Sequence, residues 1–497
     1  MSELYELTAS VASQMLANGE ISSTELVKSV QNRIDNVDKD VKSYVMLMRE
    51  SAIEQAKLID EKRNKGEKLS SLAGIPLALK DILCTKGVRT TCCSKILENF
   101  IPPYNATAVT KMQEAGIIFM GKTNMDEFAM GSSTENSAFG PSKNPWDLNR
   151  VPGGSSGGTA SAIAADEGLI GIGTDTGGSI RQPAAYCGVV GLKPTYGRVS
   201  RFGLIAFASS LDQIGPITKD VRDAAMLLNV LAGPDKMDST CLPEAAPDYT
   251  ANLGKDIRGM KIGIPKEFVN NDELAIDHGV ADAINKAIDT LSSLGAEISE
   301  CTLPNVKYSL PVYYIIAPAE ASSNLARYDG VEFGFREMFA RDTVSMMTES
   351  RDKAFGQEVK RRIMLGTYAL SSGYYDAYYT KASMVRTLIR KDFEDAFSKF
   401  DLLLTPTTPS VAFKIGDKVE DPMQMYMNDI CTIPINMAGI PAISIPCGYD
   451  NGLPVGMQLI GAHWQEEKIL QAAFAYEQAA GWKRKAHIGI NSVTAAG

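Results

Sequence analysis

The chain has 497 residues, of which 44% are hydrophobic and 22% are charged, and this balance is typical of a folded globular protein rather than a disordered or fibrous one. Its net charge of −9 argues against a protein whose main affinity comes from neutralising nucleic-acid phosphates, and it favours small substrates. The N-terminal residues include Glu3 and Glu6 but no basic apolar leader, and no apolar stretch approaches the ~18 residues of a membrane span. We therefore expect a cytoplasmic protein that binds no membrane.

Residues 1–69 predict a helical N-terminal segment. Ser22 and Glu25 stand three positions apart, as in a capping box, and apolar residues then recur at helical spacing as far as Val37. We therefore predict a helix over residues 22–37.

From residue 72 onward, short apolar runs alternate with helical or glycine-rich stretches. The runs that indicate strands are 75–79, 117–120, 169–172, 259–265, 295–301, 401–409, 441–448 and 452–461. Helical spacing recurs over residues 280–291, over most of 332–400 and near 465–479. Because no repeat or linker interrupts this rhythm, we predict a single large α/β domain over residues 1–497, with one largely parallel or mixed sheet covered by helices.

Cysteine and histidine give no sign of a metal site. The eight cysteines are scattered without a CxxC pair, and none of the three histidines lies in an HExxH or HxH arrangement. We expect reduced thiols and no bound metal. The scarcity of histidine also restricts the choice of a catalytic base.

Three familiar motifs occur in the wrong context. Residues 116–123 fit the GxxxxGK[ST] phosphate loop, but the four residues between the glycines predict a strand instead of a loop of exposed amides. Residues 171–177 miss the GxGxxG dinucleotide pattern by one position. Residues 153–157 match the GxSxG nucleophile elbow, yet no apolar strand precedes the serine. We therefore predict neither a nucleotide site nor an α/β-hydrolase elbow.

Two glycine-flanked serine loops carry more information, GGSSGG at 153–158 and GTDTGGSIRQP at 173–183. Glycine at this density lets main-chain amides approach a ligand closely, although two tight turns would also explain it. The second loop follows a predicted strand and precedes a predicted helix with Pro183 in its first turn. Its amides are therefore predicted to face one point and to suit the oxyanion of a tetrahedral intermediate. The residues of this oxyanion hole would be Thr176, Gly177, Gly178 and Ser179.

Lys80 is the candidate base for a serine nucleophile. It ends the apolar string GIPLALK at 74–80, which leads its ammonium towards the interior. A lysine at the end of a strand often reaches solvent instead, and only the two serine loops favour the catalytic interpretation. Burial would keep the amine neutral and therefore able to accept a proton.

These strings resemble the amidase-signature family, whose defining region would span residues 70–215. In that family the serine of the DTGGS loop is the nucleophile, the first serine of GGSSGG relays the proton, and the lysine of the GIP strand is the base. The matching residues are Ser179, Ser155 and Lys80. The resemblance implies an α/β fold, an αβα sandwich around a central mixed β-sheet, with a cis peptide between Gly154 and Ser155 and no metal. Residues 216–497 would then supply the remaining strands and the helices that select the substrate.

The implied chemistry is acyl transfer. Neutral Lys80 would accept a proton through Ser155 while Ser179 attacks the amide carbonyl, and the proton would return to the leaving nitrogen. Asp175 and Arg181 flank the nucleophile loop, and we interpret them as supports of its geometry rather than as chemical participants.

Four further strings, at 125–147, 320–330, 359–379 and 425–448, resemble the glutamine-hydrolysing subunits of tRNA-dependent amidotransferases, so the similarity covers nearly the whole chain. This resemblance implies that the chain releases ammonia from free glutamine within a heterotrimer that also contains subunits B and C. A partner subunit would use ATP and Mg²⁺ to convert Glu-tRNA(Gln) to Gln-tRNA(Gln), and it would make the main contact with tRNA. No cofactor is expected in this chain.

Glutamine requires a cation for its carboxylate and an anion for its ammonium. The family pattern assigns these roles to Arg362 and Asp429, with Tyr313 nearby, and we predict that they converge at one pocket mouth. Arg361 remains an alternative to its neighbour, and structural ion pairs would explain Arg362 and Asp429 equally well.

Two other functions stay open at this point. The chain could be a stand-alone amidase that acts on another small amide, or a catalytically idle scaffold within a complex. A scaffold would have no need of Lys80, Ser155 and Ser179 together.

Overall fold

The structure, a computed structural model, describes residues 3–269 and 276–482 of the chain. The strands in these residues are β1 Tyr44–Leu47, β2 Pro76–Lys80, β3 Ile118–Thr123, β4 Ile170–Asp175, β5 Val190–Lys193, β6 Gln213–Thr218, β7 Lys261–Pro265, β8 Glu297–Cys301, β9 Leu402–Pro406, β10 Ala442–Asp450 and β11 Leu453–Gly461. They form one sheet in the order β1-β3-β2-β4-β6-β5-β10-β11-β9-β7-β8. The β3-β2, β2-β4, β9-β7 and β7-β8 pairs are parallel and the others antiparallel, so the predicted mixed sheet is confirmed.

The α-helices of the described residues pack around this sheet and against one another. They are α1 Ala9–Ala17, α2 Ser23–Val41, α3 Arg49–Asn64, α4 Thr107–Glu114, α5 Gly157–Ala164, α6 Arg181–Cys187, α7 Val221–Leu231, α8 His278–Ser293, α9 Ser309–Asn324, α10 Thr343–Ala354, α11 Gln357–Ala369, α12 Lys381–Phe397, α13 Pro422–Met427, α14 Ile433–Ala438 and α15 Glu466–Ala480. The predicted helices at 280–291, within 332–400 and near 465–479 are confirmed as α8, α10 to α12 and α15.

Strand β2 shows how both faces of the sheet are covered. Successive side chains of a strand point to opposite faces. Leu77 and Leu79 belong to the main apolar core, whereas Ala78 between them packs into a second core with Ile163 of α5 and Ala184 of α6. All three β2 residues are fully buried. An apolar layer therefore lies on each face, as in the expected αβα sandwich.

The N-terminal segment contains the predicted helix and one element that the sequence did not reveal. The hydroxyl of Ser22 accepts the amide of Glu25, and the Glu25 carboxylate accepts the amide of Ser22, so the capping box at the start of α2 is confirmed. The missed element is β1, which pairs antiparallel with β3. Its four residues are all half-buried and show no alternation, so no periodic pattern marked them as a strand.

The apparent phosphate loop is part of strand β3. Its glycines stand at 116 and 121, and the backbone between them runs from a turn into the ladder with β2. Lys122 is fully buried and donates to the carbonyl of Leu83 at 2.7 Å. Neither the amides nor the lysine are therefore free to hold a phosphate.

The sheet brings the chemistry-bearing loops to one edge. Strands β2 and β4 are parallel neighbours with Leu79 opposite Ile172, so their carboxyl ends, Lys80 and Asp175, lie at the same edge of the sheet. The loop that follows β4 carries Ser179, and α5 places the GGSSGG loop against both strands.

Two further properties of the described residues bear on the sequence expectations. Within 3–269 and 276–482, no helix combines the length and the apolar character that crossing a membrane requires. All eight cysteines lie in these ranges and are unpaired thiols, six of them buried.

Candidate active site

Lys80 lies at the centre of a cluster of hydroxyl groups. Its Nζ donates to Ser155 Oγ, Ser156 Oγ and Thr174 Oγ1, each at 2.8 Å. The side chain is 0% exposed. The prediction that Lys80 is buried beside Ser155 is therefore confirmed.

The electrostatics of this pocket favour a neutral amine. Burial lowers the pKa of Lys80 to about 7, against the opposing effect of the carboxylates of Asp126, Asp175 and Asp212, which favour the charged form. None of these carboxylates forms an ion pair with Lys80 in the described residues. A substantial fraction of the amine is thus unprotonated at neutral pH and able to accept a proton.

The GGSSGG loop holds Ser155 against the lysine. The peptide between Gly154 and Ser155 is cis, as predicted. The Gly154 amide donates to the side-chain oxygen of Gln182 at 2.9 Å. The amide of Ser156 donates to the carbonyl of Ser179 at 3.1 Å, which ties this loop directly to the nucleophile loop.

The DTGGS loop is shaped by close contacts around its glycines. Gly178 has φ +138°, and a Cβ on it would lie 2.2 Å from Thr432 Oγ1, so glycine is required there. The Thr432 hydroxyl also donates to the carbonyl of Gly177 at 2.7 Å. Among the described residues, the amides of Thr176, Gly177, Gly178 and Ser179 have no hydrogen-bond acceptor, so they are available to an oxyanion.

Asp175 and Arg181 form a buried ion pair beneath this loop. Two hydrogen bonds of 3.0 Å join the guanidinium to the two carboxylate oxygens. Burial raises the pKa of Asp175, but the Arg181 guanidinium outweighs it and holds the pKa at about 2. Asp175 also accepts the amides of Ile180 and Arg181, which uses the first donors of α6. The positive end of α6 is therefore occupied by Asp175.

Arg362 lies in a buried aromatic pocket on α11. It is 2% exposed, and its Nε donates to Glu358 at 2.8 Å. Its guanidinium lies over the rings of Phe207, Tyr314 and Tyr426 at 5.3 to 5.6 Å from their centroids. Arg362 is therefore buried among these rings, and its predicted convergence with Asp429 at one pocket mouth stays a prediction.

The neighbouring Arg361 has a different environment. Its side chain is 45% exposed, and it pairs with the same Glu358 from the solvent side. Burial raises the pKa values of Tyr313 and Asp429, and the charge of Arg362 partly opposes both rises.

Asp429 is a buried carboxylate with one free oxygen. The hydroxyl of Ser132 donates to Oδ2, whereas Oδ1 has no hydrogen-bond partner in the described residues. Burial raises the pKa of Asp429 to about 7, partly offset by Ser132 and Arg362. An unpartnered carboxylate oxygen in the interior is costly unless a ligand completes it.

Tyr313 and Thr432 connect these charges to the nucleophile loop. The Tyr313 hydroxyl lies 2.9 Å from the position that a Cβ would take on Gly177. The Thr432 amide donates to the Asp429 carbonyl at 3.0 Å. Tyr313 therefore lies against the nucleophile loop, and Asp429 is joined to that loop through Thr432. Arg362 and Asp429 form no ion pair in the described residues.

A family profile described as Amidase matches residues 25–470. The chain belongs to the amidase family. The A subunit of the glutamyl-tRNA(Gln) amidotransferase of Syntrophus aciditrophicus is 61% identical over 487 residues, which cover 98% of each chain. The crystal structure of the A subunit of the Thermotoga maritima glutamyl-tRNA(Gln) amidotransferase is similar with a TM-score of 0.80 and 43% identity, over 97% of both chains.

A more distant amidase has the same architecture. Peptide amidase from Stenotrophomonas maltophilia shares 30% identity and a TM-score of 0.81, over 97% of this chain and 99% of that one. The fold therefore extends to amidases whose names describe other substrates.

Several residues of this amidase site escaped the sequence analysis. The hydroxyls of Ser156 and Thr174 accept hydrogen bonds from Lys80 Nζ. Gln182 accepts the amide of Gly154, and its Nε2 donates to the carbonyl of Ser132 at 2.8 Å. Ser156, Thr174 and Gln182 lie inside the two glycine-serine strings, so their position there was the available signal.

Asp126 is a further residue that this amidase uses to shape the site. It accepts the amides of Ser133, Thr134 and Asn136 and so holds the loop that carries Ser132. Burial raises its pKa to about 6. No local pattern distinguished this aspartate from a surface one.

Proposed function

We propose that this amidase is the glutamine-hydrolysing subunit of a tRNA-dependent amidotransferase. Amide hydrolysis is supported by the buried Lys80 amine, which lies 2.8 Å from Ser155 Oγ. The loop that carries Ser155 is in turn hydrogen-bonded to the carbonyl of Ser179. The full-length similarity to the A subunit of glutamyl-tRNA(Gln) amidotransferases supports the choice of glutamine.

The proposed chemistry proceeds through an acyl-enzyme. Neutral Lys80 accepts the Ser155 proton as Ser155 accepts the proton of Ser179, and Ser179 Oγ bonds to the substrate's amide carbon. The amides of Thr176, Gly177, Gly178 and Ser179 stabilise the oxyanion. The C–N bond then breaks, the relay returns the proton to the nitrogen, and ammonia leaves. Water repeats the sequence on the ester and releases glutamate.

Glutamine recognition follows from the two buried charges. The free Oδ1 of Asp429 binds the substrate's α-ammonium, and the Arg362 guanidinium, rather than that of Arg361, binds the α-carboxylate. Tyr313 lines the space between them and Gly177. A ligand that supplies both charges would complete a site whose carboxylate is otherwise unsatisfied.

We further propose that the ammonia is used by partner subunits B and C in a heterotrimer. A partner would hold ATP and Mg²⁺ and bind tRNA(Gln), while this chain needs no cofactor for the steps above. The negative net charge and the burial of Lys122 in β3 are consistent with this division of labour.

The decisive experiment measures ammonia release from glutamine, with and without co-purified partners, by the wild type and by Ser179→Ala. We expect Ser179→Ala to lose ~10³-fold or more activity without loss of fold, because the nucleophile is removed. Ser398→Ala serves as the control, because this serine is exposed after the end of α12 and its hydroxyl donates to the carbonyl of Asp395. Near-normal turnover by folded Ser179→Ala would refute the proposal.

The same assay separates the two alternatives. Fast cleavage of diverse uncharged amides without any partner would favour a stand-alone amidase, which the likeness to peptide amidase makes the leading alternative. A folded complex that needs the chain but not Ser179 would indicate an idle scaffold.

A further inference from the structure

The Glu127 carboxylate is buried at the start of α11, and the proposed chemistry gives it no role. It follows β3 in a short 3₁₀ turn, Glu127–Ala129, and is 2% exposed. One carboxylate oxygen accepts the hydroxyl of Ser94, and the other accepts the amide of Gly356 at 2.8 Å. Burial raises the pKa of Glu127 to about 7.

The contact with Gly356 is close enough that a larger residue would displace the Glu127 carboxylate. A Cβ on Gly356 would lie 2.4 Å from the Glu127 carboxylate. Beside it, the rings of Phe355 and Phe128 pack edge to face with centroids 5.8 Å apart. Gly356 is the N-cap of α11, where a carboxylate is favoured by the exposed amides and the helix dipole. Glu127 therefore fastens the start of this helix to the β3 turn.

The first turn of α11 also orients the substrate-binding arginine. Glu358, two residues after Gly356, accepts Arg362 Nε and the hydroxyl of Tyr426, both at 2.8 Å. Glu127 and Glu358 line the same cavity of about 330 Å³. Because this cavity adjoins the first turn of α11, side-chain packing does not fill the space on that side of the turn, and the hydrogen bond to Glu127 helps to fix its position.

We propose that Glu127 is a positioning residue for substrate recognition, which holds the start of α11 and thereby aims the Arg362 guanidinium at the substrate carboxylate. This inference rests on the proposed glutamine specificity. Glu127 contacts none of Lys80, Ser155 or Ser179, so its loss should weaken glutamine binding and leave the acyl-transfer step intact.

The test compares Glu127→Ala and Glu127→Gln in the full chain with its co-purified partners. Glu127→Ala should raise the glutamine KM about tenfold, the loss expected for one charged hydrogen bond, with kcat changed less than about twofold. Glu127→Gln keeps an oxygen for the Gly356 amide and should restore most of the affinity. In a Ser179→Ala background, calorimetry should show the same rise in the glutamine Kd without turnover.

Asp223 supplies a matched control. This buried carboxylate accepts the amides of Ala9 and Ser10 at 2.7 and 2.8 Å, and so caps α1 as Glu127 caps α11. Asp223→Ala should lower stability and leave the glutamine KM unchanged. An equal rise in KM for both alanine variants would mean a general effect of lost caps and would overturn the inference.

The outcomes also separate this inference from the proposed function. If the wild type binds glutamine and Glu127→Ala binds it equally well, only the positioning role is refuted. If the wild type neither binds nor hydrolyses glutamine but cleaves another amide, the proposed function fails and the inference fails with it. Should Glu127→Ala not fold, Ser94→Ala removes one bond to the same carboxylate and must still raise the Kd.

Discussion

Two lysines on neighbouring parallel strands, Lys80 in β2 and Lys122 in β3, have opposite surroundings. Both side chains are 0% exposed. Among the residues that the structure describes, Lys80 Nζ has only hydroxyl and carbonyl partners, whereas Lys122 Nζ lies 3.7 Å from the carboxylate of Asp81. Burial lowers the pKa of both lysines, and only for Lys122 does an adjacent counter-ion oppose that shift directly.

This difference shows how the fold separates a chemical lysine from a structural one. A buried ammonium with a counter-ion keeps its proton and links elements, whereas one that has only neutral partners can release it. A low pKa is not sufficient, since burial also lowers the pKa of Lys193 to about 7, and its Nζ donates to the carbonyl of Pro194. The feature that distinguishes Lys80 is a serine hydroxyl within reach.

The sharpest test of the comparison is Lys80→Met. We expect glutamine hydrolysis to fall by ~10³-fold or more, because the proton acceptor is lost. The free energy of unfolding at pH 7 should stay the same or rise, since a buried amine without a counter-ion is replaced by an apolar side chain. Ammonia release and denaturant unfolding measure the two effects. Retention of activity within tenfold of the wild type would remove Lys80 from the mechanism.

Lys122→Met should show the reverse pattern. Removing the counter-ion leaves Asp81 buried and unpaired, and breaking such a pair costs about 3 to 5 kcal/mol of unfolding free energy. Activity per folded molecule should remain near that of the wild type. The double variant Lys122→Met/Asp81→Asn should recover part of the stability, and a Lys122→Met protein that is stable but inactive would contradict the comparison.

Asp429 extends the comparison to carboxylates. Asp175 has a buried arginine partner, whereas Asp429 has one hydroxyl and a free oxygen, so its partner should be the substrate. We expect Asp429→Ala to raise the glutamine KM and to cost about 2 to 5 kcal/mol of binding free energy, because the substrate's ammonium would be buried unpaired. An uncharged amide should lose much less. Equal losses for both substrates would make Asp429 structural and weaken the glutamine assignment.

The smallest expected effect is the dependence on pH. Lys80 must be neutral to act, and its pKa is about 7, so kcat/KM for an uncharged amide should fall about tenfold for each pH unit well below 7. On glutamine the fall should be steeper, because Asp429 also gains a proton near pH 7. Identical slopes for the two substrates would mean that Asp429 does not bind the ammonium.

The same lysine should make stability depend on pH. Lys80 titrates near 10.5 when unfolded and near 7 when folded, so between these values the unfolded chain binds more protons. The contribution of Lys80 to the free energy of unfolding therefore rises with pH between about 7 and 10.5, and Lys80→Met should remove this rise. Denaturant unfolding at several pH values measures it.

The sequence by itself determined the features that depend on local pattern. The alternation of apolar runs predicted the sheet, the capping box predicted α2, and the two glycine-serine strings with Lys80 identified the catalytic cluster. Family resemblance added Arg362 and Asp429. These signals can be read from the sequence because periodicity, turn chemistry and glycine content act within a few residues.

Only the tertiary structure decided which polar groups are paired. Lys80 and Ser155 meet across 75 residues, and Ser132 and Asp429 across 297. The same folding encloses Arg362 and leaves Arg361 half exposed. Burial and the absence of a counter-ion set the pKa of a side chain, and both depend on what distant segments bring to it. The chemistry of each charge was therefore settled by packing rather than by its neighbours in the chain.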